Sequence, residues 1–253
     1  MVQLLKKSQQ VQARIFGGRF VVNKPVASGA TAATAPYSNV FYWSHAVALE
    51  DCEFALHPHQ GFEIMTFVLE GSVCHFDTAS QVWTPLQTGD FQVIQSGSGL
   101  QHAEKISAGT RSFQLWFDPD FAQALRQAPA YVDYHDQDFA PVQVQGVTTR
   151  TYLGAGSPAH CQTAGLTIRR LAFSAGATMT LPLDPTCAYT MYVLAVTGHL
   201  GGAAVQEDDA LRIWQEPTVE VAFTDGGELF IVGTPQVLNY AVAWEPRTKA
   251  VAP

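Results

Sequence analysis

The sequence predicts an all-β fold made of two antiparallel β-barrels in one chain. Short runs rich in β-branched and aromatic residues recur about every ten residues, which is typical of a sandwich or barrel and not of βαβ units. Glycine and aspartate residues that favour turns separate these runs. The second half repeats the same pattern, and 253 residues are enough for two barrels that each bury a core.

The first half contains the clearer set of strands. We predict them at 40–43, 62–69, 72–76, 91–94 and 113–117. Asp118 and Pro119 then provide an N-cap and a first-turn proline, which favour a short helix over 121–127 that ends before Pro129. Residues 128–146 are expected to form an ordered but irregular linker, with the boundary between the halves near residue 140.

The second half is predicted to contain six strands, at 166–173, 177–183, 190–196, 219–223, 228–232 and 240–244. Residues 54–59 and 65–71 align with 179–183 and 191–198, which indicates an internal duplication. In this register His57 and His59 correspond to Leu181 and Leu183. We therefore expect two domains, 1–140 and 141–253, and expect the second to lack whatever chemistry the histidines provide.

Charge and composition disfavour several classes of protein. The net charge is −8 and no segment collects enough Lys and Arg to neutralise phosphates, so direct nucleic-acid binding is not expected. No run approaches the roughly 20 apolar residues of a membrane span, and residues 1–16 lack the apolar core of a secretory signal. The four cysteines are widely spaced, so we expect free thiols in a reducing cytoplasm.

Four candidate metal ligands occur as two pairs, His57 with His59 and His102 with Glu104. Each pair has i, i+2 spacing inside β-like sequence. Because alternate residues of a strand share a face, both members of a pair can reach one ion. Three imidazole nitrogens and one carboxylate oxygen form a credible shell for a transition metal and leave two positions of an octahedral ion open.

Three sequence motifs resemble those of the cupin superfamily, and in particular those of pirin and the pirin-like proteins. They are His-Pro-His-Gln-Gly-Phe-Glu at 57–63, Gly-Asp-Phe-Gln at 89–92 and Gly-Ser-Gly-Leu-Gln-His-Ala-Glu at 97–104. The resemblance covers roughly residues 54 to 139. It implies two cupin-type, jelly-roll-like barrels with a metal site in the N-terminal barrel and a degenerate, metal-free C-terminal barrel.

The same resemblance implies the site and its cofactor. The metal ligands would be His57, His59, His102 and Glu104, and the cofactor one divalent transition metal, Fe(II) first, with Zn, Ni, Mn and Cu left open. The implied activity is that of a metal-dependent dioxygenase of the quercetinase type, acting on a flavonol or similar small aromatic, with Glu104 as a catalytic base.

Two other functions stay open at this stage. One is a non-enzymatic, iron-binding redox sensor or transcriptional coregulator that acts through a protein partner. The other is a different metal-assisted reaction, such as isomerisation or hydrolysis. No membrane and no direct nucleic-acid contact is expected for any of them.

Three further residues near the motifs have less certain roles. Glu63 lies where many cupins place a carboxylate ligand, but the resemblance favours a structural or supporting role. His75, on the next strand, could form a hydrogen bond near the site, although an ordinary strand histidine is the expectation. Gln114 shares a face with Ser112 and Trp116, but strand alternation does not reveal whether that face lines the cavity.

Overall fold

The computed structural model describes residues 1–29, 31–195 and 197–244. In this part of the chain there are 22 strands, one α-helix, α1 (Phe121–Ala124), and three 3-10 helices, at Lys7–Gln9, Phe16–Gly18 and Asp136–Asp138. The predicted all-β fold is therefore confirmed. Residue 196, the predicted end of one strand, and residues 245–253, the predicted end of the second barrel, lie outside the described residues.

The chain begins with β1 (Val2–Leu5) and then forms the first barrel from eleven strands. These are β2 (Val11–Ile15), β3 (Phe20–Ala27), β4 (Val40–Ala48), β5 (Cys52–His59), β6 (Glu63–Glu70), β7 (Ser72–Asp77), β8 (Trp83–Gln87), β9 (Phe91–Gln95), β10 (Leu100–Ile106), β11 (Arg111–Phe117) and β12 (Ala130–Tyr134). A seven-stranded sheet has the order β12-β9-β6-β11-β4-β3-β2, and a four-stranded sheet has the order β5-β10-β7-β8.

The second barrel uses ten further strands together with β1. They are β13 (Val142–Val144), β14 (Val147–Leu153), β15 (Thr167–Ala175), β16 (Thr178–Pro182), β17 (Cys187–Ala195), β18 (Gly198–Leu200), β19 (Ala203–Val205), β20 (Ala210–Trp214), β21 (Thr218–Ala222) and β22 (Asp225–Pro235). Its sheets have the orders β1-β20-β17-β22-β15-β14-β13 and β16-β21-β18-β19.

The two barrels have the same strand order. In chain order, strands β2 to β11 of the first barrel correspond one by one to β13 to β22 of the second. At the edge of the second barrel, β1 has the position that β12 has in the first. Strand β5, which carries His57 and His59, corresponds to β16, which carries Leu181. The topology therefore supports the internal duplication and the register proposed from the sequence.

The strands of the first barrel end at Tyr134, and those that follow begin at Val142. The predicted boundary near residue 140 falls in this gap, although the division into two domains stays a prediction, because β1 pairs with β20 of the second barrel. The two seven-stranded sheets also share one apolar core. At its centre the ring of Phe113 lies 5.1 Å from that of Tyr192, and Phe67 lies 4.9 Å from Phe230.

Three sequence predictions of local structure are corrected. The linker over 128–146 is not irregular throughout, because β12 pairs with β9 through backbone hydrogen bonds that need no apolar alternation. The helix over 121–127 is shorter and ends at Ala124. The strand predicted at 240–244 is wrong: this segment folds against the first barrel, where the Tyr240 hydroxyl donates to the Asp118 carbonyl.

Among the described residues, no helix combines the length and the apolar character that crossing a membrane requires.

We predict that Leu181→Ala lowers the free energy of unfolding by about 2 to 5 kcal/mol, as large-to-small core substitutions do. Leu181 is 1% exposed and belongs to the apolar core of the second barrel. Denaturant unfolding measures the loss, and elemental analysis should find the same metal content as in the wild type. Leu49→Ala is the matched control, because Leu49 is 55% exposed. A fall in metal content with Leu181→Ala would contradict the division of roles between the barrels.

Candidate metal centre

A β-bulge in β5 turns His57 and His59 toward the interior of the first barrel. Strand β10 pairs His102 with His57 and Glu104 with Phe54. Ala55 and Leu56 of β5 therefore lie opposite the single residue Ala103 of β10. The extra residue reverses the alternation, so that His57 lies on the same face as Phe54 although the two are three positions apart.

The bulge brings three histidines together. The ligand-capable nitrogens of His57, His59 and His102 all lie within 4.8 Å of one another. Their ring centroids are separated by 4.3 Å for His57 and His102, and by 4.8 Å for His59 and His102. Three of the four residues predicted as ligands thus form one cluster that fits a single ion.

Two of the histidines are held in the neutral form by their surroundings. Burial, with a smaller effect of His57, lowers the pKa of His59 to about 4. Burial, together with the neighbouring histidines, lowers the pKa of His102 to about 2. A neutral imidazole keeps the lone pair that a metal requires, so these rings are available as ligands at neutral pH.

The tautomer of His57 is set by the bulge itself. Its Nδ1 lies 2.7 Å from the carbonyl oxygen of Ala55. Because a carbonyl only accepts, Nδ1 carries the proton and Nε2 keeps its lone pair. Metal-binding histidines usually have such a partner on the nitrogen that does not bind the ion.

Glu104 lines the same cavity but lies outside the tight histidine cluster. Burial raises the pKa of Glu104 to about 7, against the effect of a hydrogen bond from Gln114. The Gln114 amide donates to Oε1 of Glu104 at 3.1 Å and accepts from the Trp116 indole at 3.1 Å. Gln114 therefore faces the cavity and orients the Glu104 carboxylate, while Glu104 as fourth ligand stays a prediction.

A cavity of about 350 Å³ lies beside the cluster, within the range of about 300–1,000 Å³ usual for small-molecule sites. Its walls include the aromatic residues Tyr42 and Trp116 together with Phe20 and Phe54. The ring of Trp116 is stacked on Tyr42 at 4.3 Å and lies 5.4 Å from His59. An aromatic wall therefore extends from the histidines into the cavity.

Glu63 points away from this cavity. On the regular strand β6 it lies on the opposite face from Thr66, which lines the cavity. The buried Glu63 carboxylate accepts hydrogen bonds from the backbone amides of Gln162 and Thr163, at 2.6 and 2.8 Å, and another from the Thr163 hydroxyl. Glu63 thus ties the first barrel to a loop of the second half, a structural role.

His75 is buried beside His102, with 5.4 Å between the ring centroids. Burial lowers the pKa of His75, against the opposing charges of Asp77 and Asp133. Neither of its nitrogens has a hydrogen-bond partner among the described residues. His75 thus lies near the site, which the sequence had left open, because β7 pairs with β10.

Two cavity residues were missed in the sequence, Lys24 and Tyr42. Both lie on strands whose alternation places them on the inner face, Lys24 with Val22 on β3 and Tyr42 with Ser44 on β4. Phe20 and Val22 share this face, but Val21 between them is also apolar, so the sequence did not mark the inner face of β3. Nothing in the sequence located the cavity there.

Comparison with known proteins gives the family context for this geometry. Residues 30–117 match the family model Pirin. The predicted resemblance to the pirin family is confirmed.

Two pirin-related sequences illustrate the range of the similarity. A pirin-like protein of Arabidopsis thaliana is 27% identical over 166 residues, which cover 62% of this chain and 53% of the relative. The chain thus matches about half the length of that relative. A quercetin 2,3-dioxygenase of Escherichia coli K12 is 36% identical over 70 residues, covering 26% of this chain and 30% of the enzyme.

The fold is also that of a solved bacterial pirin. The crystal structure of YhhW from Escherichia coli in complex with nickel(II) has a TM-score of 0.77 and 21% sequence identity, and the match covers 94% of this chain and all of that one. At this identity the likeness establishes the shared pirin fold alone.

The residues of this pirin-like chain fit a single metal ion. Both ring nitrogens of His102 are buried and have no hydrogen-bond partner among the described residues. Buried polar atoms normally have hydrogen-bond partners, and the described residues around His102 supply none. A divalent ion at the histidine cluster would bind one of these two nitrogens, whereas the donor atoms alone do not identify the element.

We predict that His57→Ala and His102→Ala each remove most of the bound metal, because each deletes one of three clustered nitrogens. Elemental analysis of the purified, metal-loaded variants measures this. His199→Ala is the control, since His199 is an exposed histidine of the second barrel. Wild-type metal content in both site variants would rule out this centre.

Glu63→Ala is expected to show the opposite behaviour. The substitution leaves buried amide donors without an acceptor, so the free energy of unfolding should fall by about 2–3 kcal/mol. Metal content should not change, because the carboxylate faces away from the cavity. Denaturant unfolding and elemental analysis of the same sample test both statements, and a loss of metal would make Glu63 a ligand.

Proposed function

We propose that this chain is a mononuclear metal-dependent dioxygenase of the quercetinase type that acts on a flavonol or a similar small aromatic. The observation that carries the proposal is the cluster of three histidines beside a cavity with an aromatic wall. In the proposal His57, His59, His102 and Glu104 hold the metal, with Fe(II) as the first candidate. The E. coli relative named quercetin 2,3-dioxygenase supports the reaction, and the nickel(II)-bound pirin supports a single metal.

A redox-active metal at this position would supply the Lewis-acid and electron-transfer chemistry that reactions with dioxygen require. In oxidative ring cleavage both oxygen atoms of O2 enter the products and the aromatic substrate supplies all four electrons, so the reaction needs no external reductant. The protein has to bind the aromatic ring, exclude water from the centre and accept a proton from a substrate hydroxyl.

The walls of the cavity suit an aromatic substrate. The stacked pair Tyr42 and Trp116 offers a planar surface next to His59, and aromatic rings favour stacked or edge-on contacts with such surfaces. Apolar side chains of β3 and β10, among them Val22 and Ile106, line the rest. A flat ring that enters along this wall is guided toward the histidines and shielded from water.

Glu104 is the proposed proton acceptor. It lies in the cavity wall, and the hydrogen bond from Gln114 keeps one carboxylate oxygen in place. The hydrogen bond from Trp116 to Gln114 fixes the amide so that its NH2 group points to Glu104. A hydroxyl of a ring bound against Trp116 would therefore meet an oriented carboxylate.

We predict that the chain, loaded anaerobically with Fe(II), consumes oxygen when a flavonol is added. An oxygen electrode and a panel of flavonols measure the uptake, and parallel loading with Zn, Ni, Mn and Cu shows which metal supports it. The metal-depleted His102→Ala variant is the control and should consume none. If metal content is confirmed and no flavonol or catechol causes uptake with any of these metals, the proposed reaction is wrong.

A further inference from the structure

Lys24 points into the cavity because of its place on β3. Phe20 and Val22 precede it on the same face and also line the cavity. Directly after Asn23 the pairing of β3 with β4 shifts by one residue, so that Lys24 and Pro25 lie opposite Ser44 alone. Proline has no amide hydrogen to lose from the ladder and is common at such bulges, so the bulge falls at this place.

The Lys24 ammonium is half-buried and has no carboxylate partner. It lies 5.0 Å from the centroid of the Tyr42 ring, and it forms no ion pair with any residue that the structure describes. Burial lowers the pKa of Lys24. A half-buried cation has lost part of its hydration, and the Tyr42 ring offers a weaker contact than an opposite charge, so an anion in the cavity would provide the partner that the protein does not.

Lys24 belongs to the same level of the barrel as Glu104. Ser44 lies opposite the bulge at Lys24, Gln114 pairs with Ser44, and Thr66 pairs with Gln114. These residues form a polar row on the inner face of the sheet, and Gln114 donates to Glu104. With neighbouring strands about 4.8 Å apart, the backbone of Lys24 lies roughly 10 Å from that of Gln114.

Lys24 is the one cationic side chain among the described residues that line this cavity, and His57, His59 and Glu104 line the same space. Between the ammonium and Glu104 lies the wall formed by Tyr42 and Trp116. An aromatic ligand against this wall would have one end toward the histidines and the other toward Lys24.

We propose that Lys24 determines substrate class by binding an anionic oxygen at one end of an aromatic ligand whose other end approaches the histidine cluster. This anionic oxygen is a carboxylate or a phenolate. The inference rests on the proposed function for the reaction itself, but ligand preference can be measured without turnover. The proposed role of Lys24 restricts the substrate class from any small aromatic to one that carries a negative charge at the end remote from the reacting hydroxyl.

The test measures equilibrium binding to the full chain loaded with zinc, which is redox-inert. The probes are 3-hydroxyflavone and its 4′-carboxylate. The binding of each probe is measured from the change in tryptophan fluorescence. We expect the wild type to prefer the carboxylate by about tenfold, the size of one charge-assisted hydrogen bond that is partly exposed to water. Lys24→Met should abolish this preference and leave the affinity for the neutral flavonol within about twofold.

Two further variants separate charge from structure. Lys24→Arg keeps the positive charge and should keep most of the preference. Lys105→Met removes an exposed lysine that lies over Trp83, outside the cavity, and should change nothing. A second pair of probes, a flavonol with an acidic nitrophenol group and its methyl ether, shows whether a phenolate is preferred in the same Lys24-dependent way.

The outcomes distinguish this inference from the proposed reaction. If wild type and Lys24→Met show the same ratio of affinities for both pairs of probes, Lys24 does not select the ligand. If the preference depends on Lys24 but no oxygen uptake occurs with iron, the ligand class is supported and the dioxygenase reaction is wrong. Circular dichroism and the melting temperature confirm that Lys24→Met is folded, so a lost preference reports binding.

Discussion

The functional centre of the first barrel depends on one irregular backbone pairing. Where two residues of β5 face a single residue of β10, the chain changes which side chains point inward. A regular strand that buried Phe54 would turn His57 and His59 outward. The same bulge supplies the Ala55 carbonyl that holds Nδ1 of His57. One extra residue therefore turns His57 and His59, the candidate ligands, toward the cavity and also selects the tautomer of His57.

The second barrel shows what the same topology gives without this feature. Its corresponding pairing, β16 with β21, is regular from Thr178 to Pro182. The register places Leu181 opposite Val219, as His57 lies opposite His102 in the first barrel, so Val219 and Val221 take the places of His102 and Glu104. The four residues at these positions are all apolar and buried: Leu181, Leu183, Val219 and Val221. This interior contributes to stability through packing, while the first barrel keeps a cavity and buried polar atoms that weaken packing.

The sequence was informative where a single strand determines the answer. Alternation and spacing located five of the eleven strands of the first barrel, both pairs of candidate ligands and the replacement of His57 and His59 by leucines. Features that depend on pairing between strands were not accessible. The bulge was indicated only by the odd separation of Phe54 and His57, and the edge strand β12 has no apolar pattern because an edge needs backbone partners more than burial. From the sequence alone Lys24 resembles a surface lysine. Its position in the cavity follows only from the pairing of β3 with β4.

The pairing of β1 with a strand of the second barrel affects how this chain folds. β1 contains the first residues of the sequence, yet its partner is β20, where Val2 pairs with Ile213. During synthesis β1 must wait, without its sheet, until β20 has been made. Contacts between such distant residues carry a high entropic cost of loop closure and form late. The second barrel is thus completed by β1, the strand that is made before all the others described.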